Sequence, residues 1–385
     1  MAETSRIPVS LAHCRSYDPA EVRSSIRDLL APLGGMASCV SPGQRVLLKP
    51  NLLMGKPPEA AVTTHPEILR AVAAEIREAG GRVFLGDSPG LGSLESVMKR
   101  SGVAAVAEEM GVGVVPFQTP RAISVPEGGV YRSLEVAAEA LDFDVIINLP
   151  KLKTHGQMTL TLAVKNLFGL VVGAAKPGWH LTTGSDLRMA DLLLDIYRAI
   201  APDLNILDGV WAMEGNGPGS GHPRPLGLLG ASPSALGLDR VIASLLGVGP
   251  DRFSLIHRAR ARGMAEADPD RLEVIGPPSG VFPTKGFRLP ASIKKVDFTL
   301  PAWLSGSLRH SLSTFPVPDR ERCTSCGTCV EICPVDAVAF GGRGRVSVDE
   351  ELCINCFCCQ EMCPEGAIGL APGRLLRLLR RMGMA

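Results

Sequence analysis

Along the first three hundred residues, short apolar runs alternate with longer stretches whose apolar positions recur at helical spacing. RVLLKPN (Arg45–Asn51) is an almost continuous apolar strand that ends in polar residues. HPEILRAVAAEIREAGG follows, with Pro66 suited to a first helical turn and Gly80–Gly81 suited to a stop. RVFLGDSPG (Arg82–Gly90) reads as a second strand ending at Asp87, and one helix is expected from about Ser93 to Met110. FDVIINLPKLKTH (Phe143–His155) reads as a third strand running into Lys151, and residues 186–200 as a helix. Leu204–Gly221 reads as a strand turning into a glycine-rich loop; GLLGAS then leads into the helix PSALGLDRVIASLLG. Repeated β–α alternation with nearly continuous apolar strands predicts an α/β fold, a mainly parallel sheet with helices on both faces.

The pattern changes past residue 300. We expect the α/β unit over residues 1–300 and a connection over 301–316. A small α+β unit over 317–371 follows, where AVAF, RVSV and AIGL are short strands. Residues 372–385 form a basic tail, amphipathic if helical. Arg374, Arg377 and Arg381 lie on one side and Leu375, Leu378, Leu379 and Met382 on the other. Docking on the protein's own surface is the expected role of the tail, with a membrane surface or a partner as alternatives.

Charge and composition remove several functions. Forty basic residues balance thirty-nine acidic ones, for a net charge of +1, and aromatic residues are only 4%. That argues against a general nucleic-acid binder and against a base-stacking platform. No run of 18 apolar residues occurs, so no transmembrane helix is expected. The opening MAETSRIPVSLAHCR lacks the apolar region of a signal peptide, and a cytoplasmic address is expected.

In a reducing compartment, clustered cysteines point to metal. Nine of the eleven cysteines fall between Cys323 and Cys363. Cys323, Cys326, Cys329 and Cys333 follow C-x2-C-x2-C-x3-C, with Pro334 next; Cys353, Cys356, Cys359 and Cys363 repeat the spacing before Pro364. This is the spacing of bacterial two-cluster ferredoxins, in which the fourth cysteine of each run ligates the other cube. The expected ligand sets are therefore crossed. Cys323, Cys326, Cys329 and Cys363 hold one [4Fe–4S] cluster, and Cys353, Cys356, Cys359 and Cys333 hold the second. Paired zinc sites, the competing reading, usually separate C-x2-C pairs by longer loops. Cys358 is surplus and is expected to face away from its cube or pack as a small hydrophobe. Cys14 and Cys39 read as ordinary thiols. Six acidic residues (Glu331, Asp336, Asp349, Glu350, Glu351, Glu361) against Arg343 and Arg345 predict an anionic patch for a basic redox partner protein.

The polar residues of the large unit gather at strand ends. Lys49 and Asn51, Asp87, Lys151 with Lys153, and Asp208 each sit where a strand finishes, the edge at which open α/β sheets bind ligands. Strand ends also turn polar simply on leaving the core. Lysine usage adds weight: the chain has only ten lysines, yet Lys151, Lys153, Lys165 and Lys176 crowd into a stretch without arginine. Lysine offers a compact charge and a pKa that burial can lower, suited to an anionic ligand or to proton transfer. His155 can handle a proton near neutrality or be purely structural. EGNGPGSG, from Glu214, is either a backbone cradle for an anion or turn chemistry, and it matches neither a Walker loop nor GxGxxG.

PKLKTH (Pro150–His155), VKNLFG (Val164–Gly169) and LDGVWAMEGNGP (Leu207–Pro218), with the KPN and GDSPG strand ends, resemble the family catalogued as domain of unknown function 362 over about residues 40–300. The resemblance implies Lys49, Asn51, Asp87, Lys151, Lys153, Thr154, His155, Lys165, Asn166, Asp208 and Glu214 as motif positions. It also implies a C-terminal two-cluster ferredoxin module, and it supplies no reaction. More remotely, the large unit is similar to the lactate-racemase-like group, which implies an anionic organic ligand or cofactor.

The resulting expectation is an iron–sulfur oxidoreductase. Electrons pass between two cubes and a small anion or second cofactor of unassigned identity at the strand ends. Lys151, Lys153, His155 and Lys165 would do the chemistry, and Lys49, Asn51, Asp87, Asn166, Asp208 and Glu214 would bind. The alternative is a ferredoxin-like carrier or assembly component whose large domain is a docking platform. A regulator sensing oxygen through cluster loss is the third reading.

Overall fold

Strands that are apolar on both sides must be covered on both sides. In β2 (Arg45–Pro50) Val46 and Leu48 enter one core while Leu47 enters the other. In β7 (Val145–Leu149) Val145, Ile147 and Leu149 face the first core and Ile146 the second. Each such side chain, fully withdrawn from water, contributes roughly 1.5–3 kcal/mol. The computed structural model describes residues 6–290 and 314–378, except 174, 374 and 376.

The main sheet runs in the order β12 (Leu272–Ile275), β1 (Ile7–His13), β11 (His222–Ser232), β10 (Leu204–Glu214), β7, β2, β3 (Arg82–Asp87), β4 (Gly113–Pro116). β8 (Lys151–His155) joins β10 and carries β9 (Thr159–Thr161). β11 is antiparallel to both neighbours and β9 to β8, and the remaining pairs are parallel. The α/β reading therefore holds, with one reversed strand inside the sheet. β5 (Pro120–Ser124) and β6 (Ser133–Ala137) form a separate hairpin.

Helices α1 (Pro19–Leu30), α2 (Pro66–Glu78), α3 (Leu94–Arg100) and α4 (Val103–Glu109) fill one face with Ile26, Leu69, Val97 and Val106. Helices α5 (Ala163–Asn166), α7 (Asp186–Ile200), α8 (Ala235–Leu245) and α9 (Ser254–Ala261) fill the other with Val164, Leu193, Ile242 and Leu255. The short α6 (Ala175–Thr183) precedes α7. Pro66 occupies the first turn of α2 and His65 caps it through its side chain, in keeping with the sequence signal.

Two expected elements are divided. The helix expected from Ser93 to Met110 is α3 and α4, because Gly102 takes a left-handed conformation (φ 76°) that no continuing helix adopts. The expected third strand is broken at Pro150, which has no N–H for a ladder. β7 stays beside β2, while β8 pairs instead with β10 and β9. That break is what brings Lys151, Lys153 and His155 across the end of the sheet.

In the C-terminal module β13 (Thr314–Pro318) pairs antiparallel with β16 (Ile368–Pro372), and β14 (Val338–Phe340) with β15 (Val346–Val348). Residues 314–316, expected in the connection, therefore belong to a module strand; the rest of the expected connection, 301–313, lies outside the described residues. Most of the expected tail helix lies outside them as well; Leu375, Arg377 and Leu378 are helical. The cysteine duplication is written into the backbone. Left-handed residues Ser325, Gly327 and Asp336 recur thirty positions later at Asn355, Phe357 and Gly366.

A candidate cofactor site between the strand ends and the cysteine module

The repeat extends to the sulfurs. The Ala337 amide donates to Cys333 Sγ and the Ala367 amide to Cys363 Sγ, each at 3.2 Å. Cys323, Cys326, Cys329 and Cys363 line one small cavity. Cys333 stands close enough to Cys353 and Cys359 to interact electrostatically with both, and Cys356 neighbours the same pair. Eight thiols in two groups of four, two of them already receiving N–H bonds, fit a pair of thiolate-ligated clusters. N–H donors on ligand sulfur tune potential, so Ala337 and Ala367 are part of that fit.

The helical turn Cys358–Glu361 faces the large domain. Gln360 Nε2 donates to Asn216 Oδ1 (2.8 Å) and to Gly217 O (3.3 Å), and Ser220 Oγ donates to Cys363 O (3.4 Å). The EGNGPGSG loop is thus occupied as the seat of the module and is not open as an anion cradle. Gly217 packs so tightly on β8 that a Cβ there would sit 2.2 Å from Thr154 O. Lys56 Nζ also donates to the module, at Pro364 O.

Between this turn and the strand ends lies a cavity of about 260 Å³. Lys49, Asn51 and Asp87 from the ends of β2 and β3 line it, with Lys153, Lys165 and Asn166 from β8 and α5. The module contributes Ile332, Cys358, Glu361 and Met362. At its base Lys49 Nζ pairs with Asp87 Oδ1 at 2.9 Å, and both side chains are buried. Asp87 is fixed by Leu52 N and Ser88 N at 2.8 and 2.9 Å. Asn166 accepts from Asn51 Nδ2 (2.9 Å) and donates to Asn148 Oδ1 (2.8 Å), which ties α5 to β2 and β7.

Three further lysines stand around the cavity without a carboxylate in ion-pair range among the described residues. Lys153 Nζ donates to Asn51 Oδ1 and Val62 O, both at 2.7 Å. Its pKa lies well below the ordinary lysine value because of burial and the nearby Lys165 and Lys151 charges. Lys176 Nζ donates to Ser88 O, Ser88 Oγ and Pro89 O, and burial pulls it down to about 8. Half-buried Lys165 lies 5.8 Å from the Phe168 ring centroid, and burial lowers it too.

His155 lies behind the cavity wall. Its Nδ1 accepts from the Gln157 and Met158 amides at 3.2 and 3.1 Å, which places the proton of the neutral ring on Nε2. Nε2 lies 2.8 Å from Glu361 Oε1 but out of line for a hydrogen bond, so both atoms lack a hydrogen-bond partner. Burial pushes His155 down to about 4. For Glu361 burial acts upward, but His155 and Lys165 hold it well below the ordinary carboxylate value.

Other predicted site residues lie elsewhere. Lys151 pairs with Asp208 Oδ2 at 2.8 Å and donates to the Tyr17 hydroxyl, also at 2.8 Å. Tyr17 stacks on His65 with centroids 3.5 Å apart, and its hydroxyl donates to Asp208 Oδ1 at 2.7 Å. The His65 amide donates to Asp208 Oδ2 at 2.9 Å. These charges are fully answered by neighbours and tie β8 and β10 to the N-terminal segment. Glu214 is held by Arg224 and Arg288 at 3.1 and 2.6 Å, away from the cavity.

Sequence reasoning missed Ser88, Thr161, His180, Glu361 and Met362, all of which line the cavity. Glu361 was counted in the anionic patch, yet it is only 4% exposed and faces inward. Nothing in the cysteine spacing distinguishes it from its exposed neighbours. Cys358 is buried, as expected of a surplus thiol, but it lines this cavity.

A 4Fe-4S dicluster domain matches residues 322–367, so the module is one that holds iron–sulfur clusters. Among curated proteins, the "Thylakoid-associated protein sll1697" of Synechocystis sp. (strain ATCC 27184 / PCC 6803 / Kazusa) is 41% identical over 305 residues, covering 78% of this chain and 94% of that protein. Among the described residues no helix is long and apolar enough to cross a membrane. Two solved structures are distantly similar. The lactate racemase apoprotein of Thermoanaerobacterium thermosaccharolyticum has TM-score 0.41 and 10% identity, over 64% of this chain and 58% of that one. A structural-genomics protein of Thermotoga maritima has TM-score 0.33 and 11% identity, over 52% of each chain. The chain thus spans little more than half the length of either. Residues 46–244 match the model of the domain of unknown function (DUF362), and this chain belongs to that family.

Proposed function

We propose that this protein passes electrons between two [4Fe–4S] clusters and an anionic small molecule or cofactor held at the strand ends. The observation that carries the reading is the shared wall. Cys358, Glu361 and Met362 line the lysine-rich cavity, while their chain neighbours Cys359 and Cys363 are cluster ligands in this reading, one in each set. When loaded, the clusters supply single-electron transfer. Lys153, Lys165 and Lys176 hold the negative charge of the bound molecule, and Asn51 and Asn166 orient it. The buried Lys49–Asp87 pair shapes the floor. Water is kept out by Phe168, Pro218 and Met362. His155, neutral and with its proton on Nε2, stands 2.8 Å from Glu361 and would manage protons beside the wall.

A basic redox partner belongs to this reading, since Glu331, Asp336, Asp349, Glu350 and Glu351 are exposed on the module. A cytoplasmic address belongs to it as well, or a thylakoid-associated one if this chain follows what the relative's name says of that protein. The same exposed acids favour the second reading, a carrier whose large domain only seats the module.

Anaerobic purification separates the two. Iron and sulfide counting with low-temperature EPR tests the clusters. Mass spectrometry of small molecules released on unfolding tests the cavity. With substrate in hand, Lys153→Ala and Lys165→Ala should abolish turnover at full iron content. Full turnover in both variants refutes the site, and a cluster-loaded protein that never carries or binds a small molecule favours the carrier.

A further inference from the structure

We infer that the molecule bound in this cavity carries two negative charges, as a dicarboxylate or a phosphate monoester does, and an apolar body between or beside them. The inference rests on the strand-edge reading above and narrows it to a charge class. The charge balance of the lining is the first observation: four lysines (Lys49, Lys153, Lys165, Lys176) face two carboxylates (Asp87, Glu361). Asp87 answers Lys49 at 2.9 Å, and Glu361 is the carboxylate nearest in effect to Lys165. Lys153 and Lys176 are left without a carboxylate counter-ion among the described residues. An unpaired buried charge is unfavourable, so a lining with surplus lysines favours a dianion.

The second observation is independent of the lysines. Thr161 Oγ1 and His180 Nδ1 are buried, belong to residues that line the same cavity and have no hydrogen-bond partner. Native proteins rarely leave such atoms unmatched, so two beside one cavity mark positions that a ligand's polar atoms fill. Thr161 and His180 can offer donors to a charged oxygen. Leu52, Leu53, Phe168 and Pro177 complete the wall, which suits a carbon body beside the charged groups.

A dianion should also restore protons to the lysines. Burial and neighbouring cations loosen the proton on Lys153, and burial lowers Lys176 to about 8. A bound negative charge favours the ammonium form, so binding at pH 8 draws protons from the buffer.

The test is calorimetry on anaerobically purified, cluster-loaded protein at pH 8, with succinate, inorganic phosphate and the monoanion butyrate as probes, in two buffers of different ionisation enthalpy. Succinate or phosphate should bind at least about tenfold more tightly than butyrate, the step expected for one extra charge-assisted contact. Succinate binding should take up protons; the order of succinate and phosphate tells a dicarboxylate site from a phosphate site. In Lys153→Met or Lys176→Met, one positive charge is gone and the preference for the dianion should shrink about tenfold. Butyrate binding as tightly as both dianions overturns the inference and leaves the strand-edge site standing. If none of the probes binds, the inference is overturned, and the strand-edge reading falls with it when no small molecule leaves the unfolded protein. If a Met variant fails to retain iron, the comparison of succinate with butyrate on the unaltered protein decides alone.

Discussion

Replacing Gly169 with alanine tests whether the floor of the cavity is as tightly built as its geometry implies. Gly169 ends the VKNLFG motif and lies against the Lys49–Asp87 pair. A Cβ placed on it would stand 2.2 Å from Asp87 Oδ1 and 2.4 Å from Lys49 Nζ. Flexible side chains often yield to such an intrusion, but these two cannot move freely. Asp87 is held by the Leu52 and Ser88 amides, Lys49 by Pro50 O and Asp87, and Ser88 N also donates to Gly169 O at 3.2 Å. The methyl group must therefore separate the pair or shift α5. Breaking a buried ion pair costs about 3–5 kcal/mol, and we expect an apparent loss of about 3 kcal/mol from partial separation. Gly178→Ala is the control. Gly178 is exposed within α6, nothing lies within 4 Å of its Cβ position, and alanine there should be neutral or stabilising by up to about 1 kcal/mol. The assay is denaturant unfolding of both variants under nitrogen, with iron counted before each titration. If Gly169→Ala unfolds within about 0.5 kcal/mol of Gly178→Ala, the pair is not confined and the reasoning is wrong.

Three further outcomes follow from the same geometry. Because His65 and His155 are each lowered to about 4 from an ordinary 6.5, the unfolded chain binds more protons between those values. Stability should fall on acidification from about pH 6.5 to 4, by up to about 1.4 kcal/mol per pH unit for each histidine, and His65→Gln should flatten the slope; an unchanged slope rejects the assignment. Gln360→Ala removes the hydrogen bonds to Asn216 and Gly217, so exchange of the amides in 215–221 should quicken by an amount equivalent to about 1 kcal/mol at constant iron, and protection equal to the parent's counts against the seat. For the crossed ligand sets, Cys333→Ser should lower iron from about eight to about four per chain, adding Cys353→Ser should lower it no further, and adding Cys323→Ser should empty the module; the reverse pattern means that the runs are not crossed.

Much of this protein is legible in one dimension because much of its physics is local. Three cysteines spaced C-x2-C-x2-C can reach one metal cube from a single turn of chain, and left-handed residues recurring thirty positions apart repeat that turn. Apolar runs such as those of β2 and β7 bury on both faces wherever they lie in a parallel sheet, so the architecture follows from their composition. The gathering of lysines is visible as well, since this chain otherwise prefers arginine. The split at Pro150 was in view too, but its consequence was not: a proline ends pairing without saying which strand the chain joins next.

What each charged residue does depended on partners distant in the chain. Lys49, Lys151 and Lys153 end similar strands, yet the first meets Asp87, the second Asp208 and Tyr17, and the third only neutral oxygens. Glu361 and Glu351 are both acids of one short module; only docking turns the first inward to His155 and leaves the second in water. Sequence by itself determined the β–α alternation, the cysteine repeat and the edge at which the lysines end. Tertiary structure alone decided which charges are cancelled and which are left facing a cavity, because a buried charge takes its energy from the few groups within several ångströms, and those arrive from the whole chain.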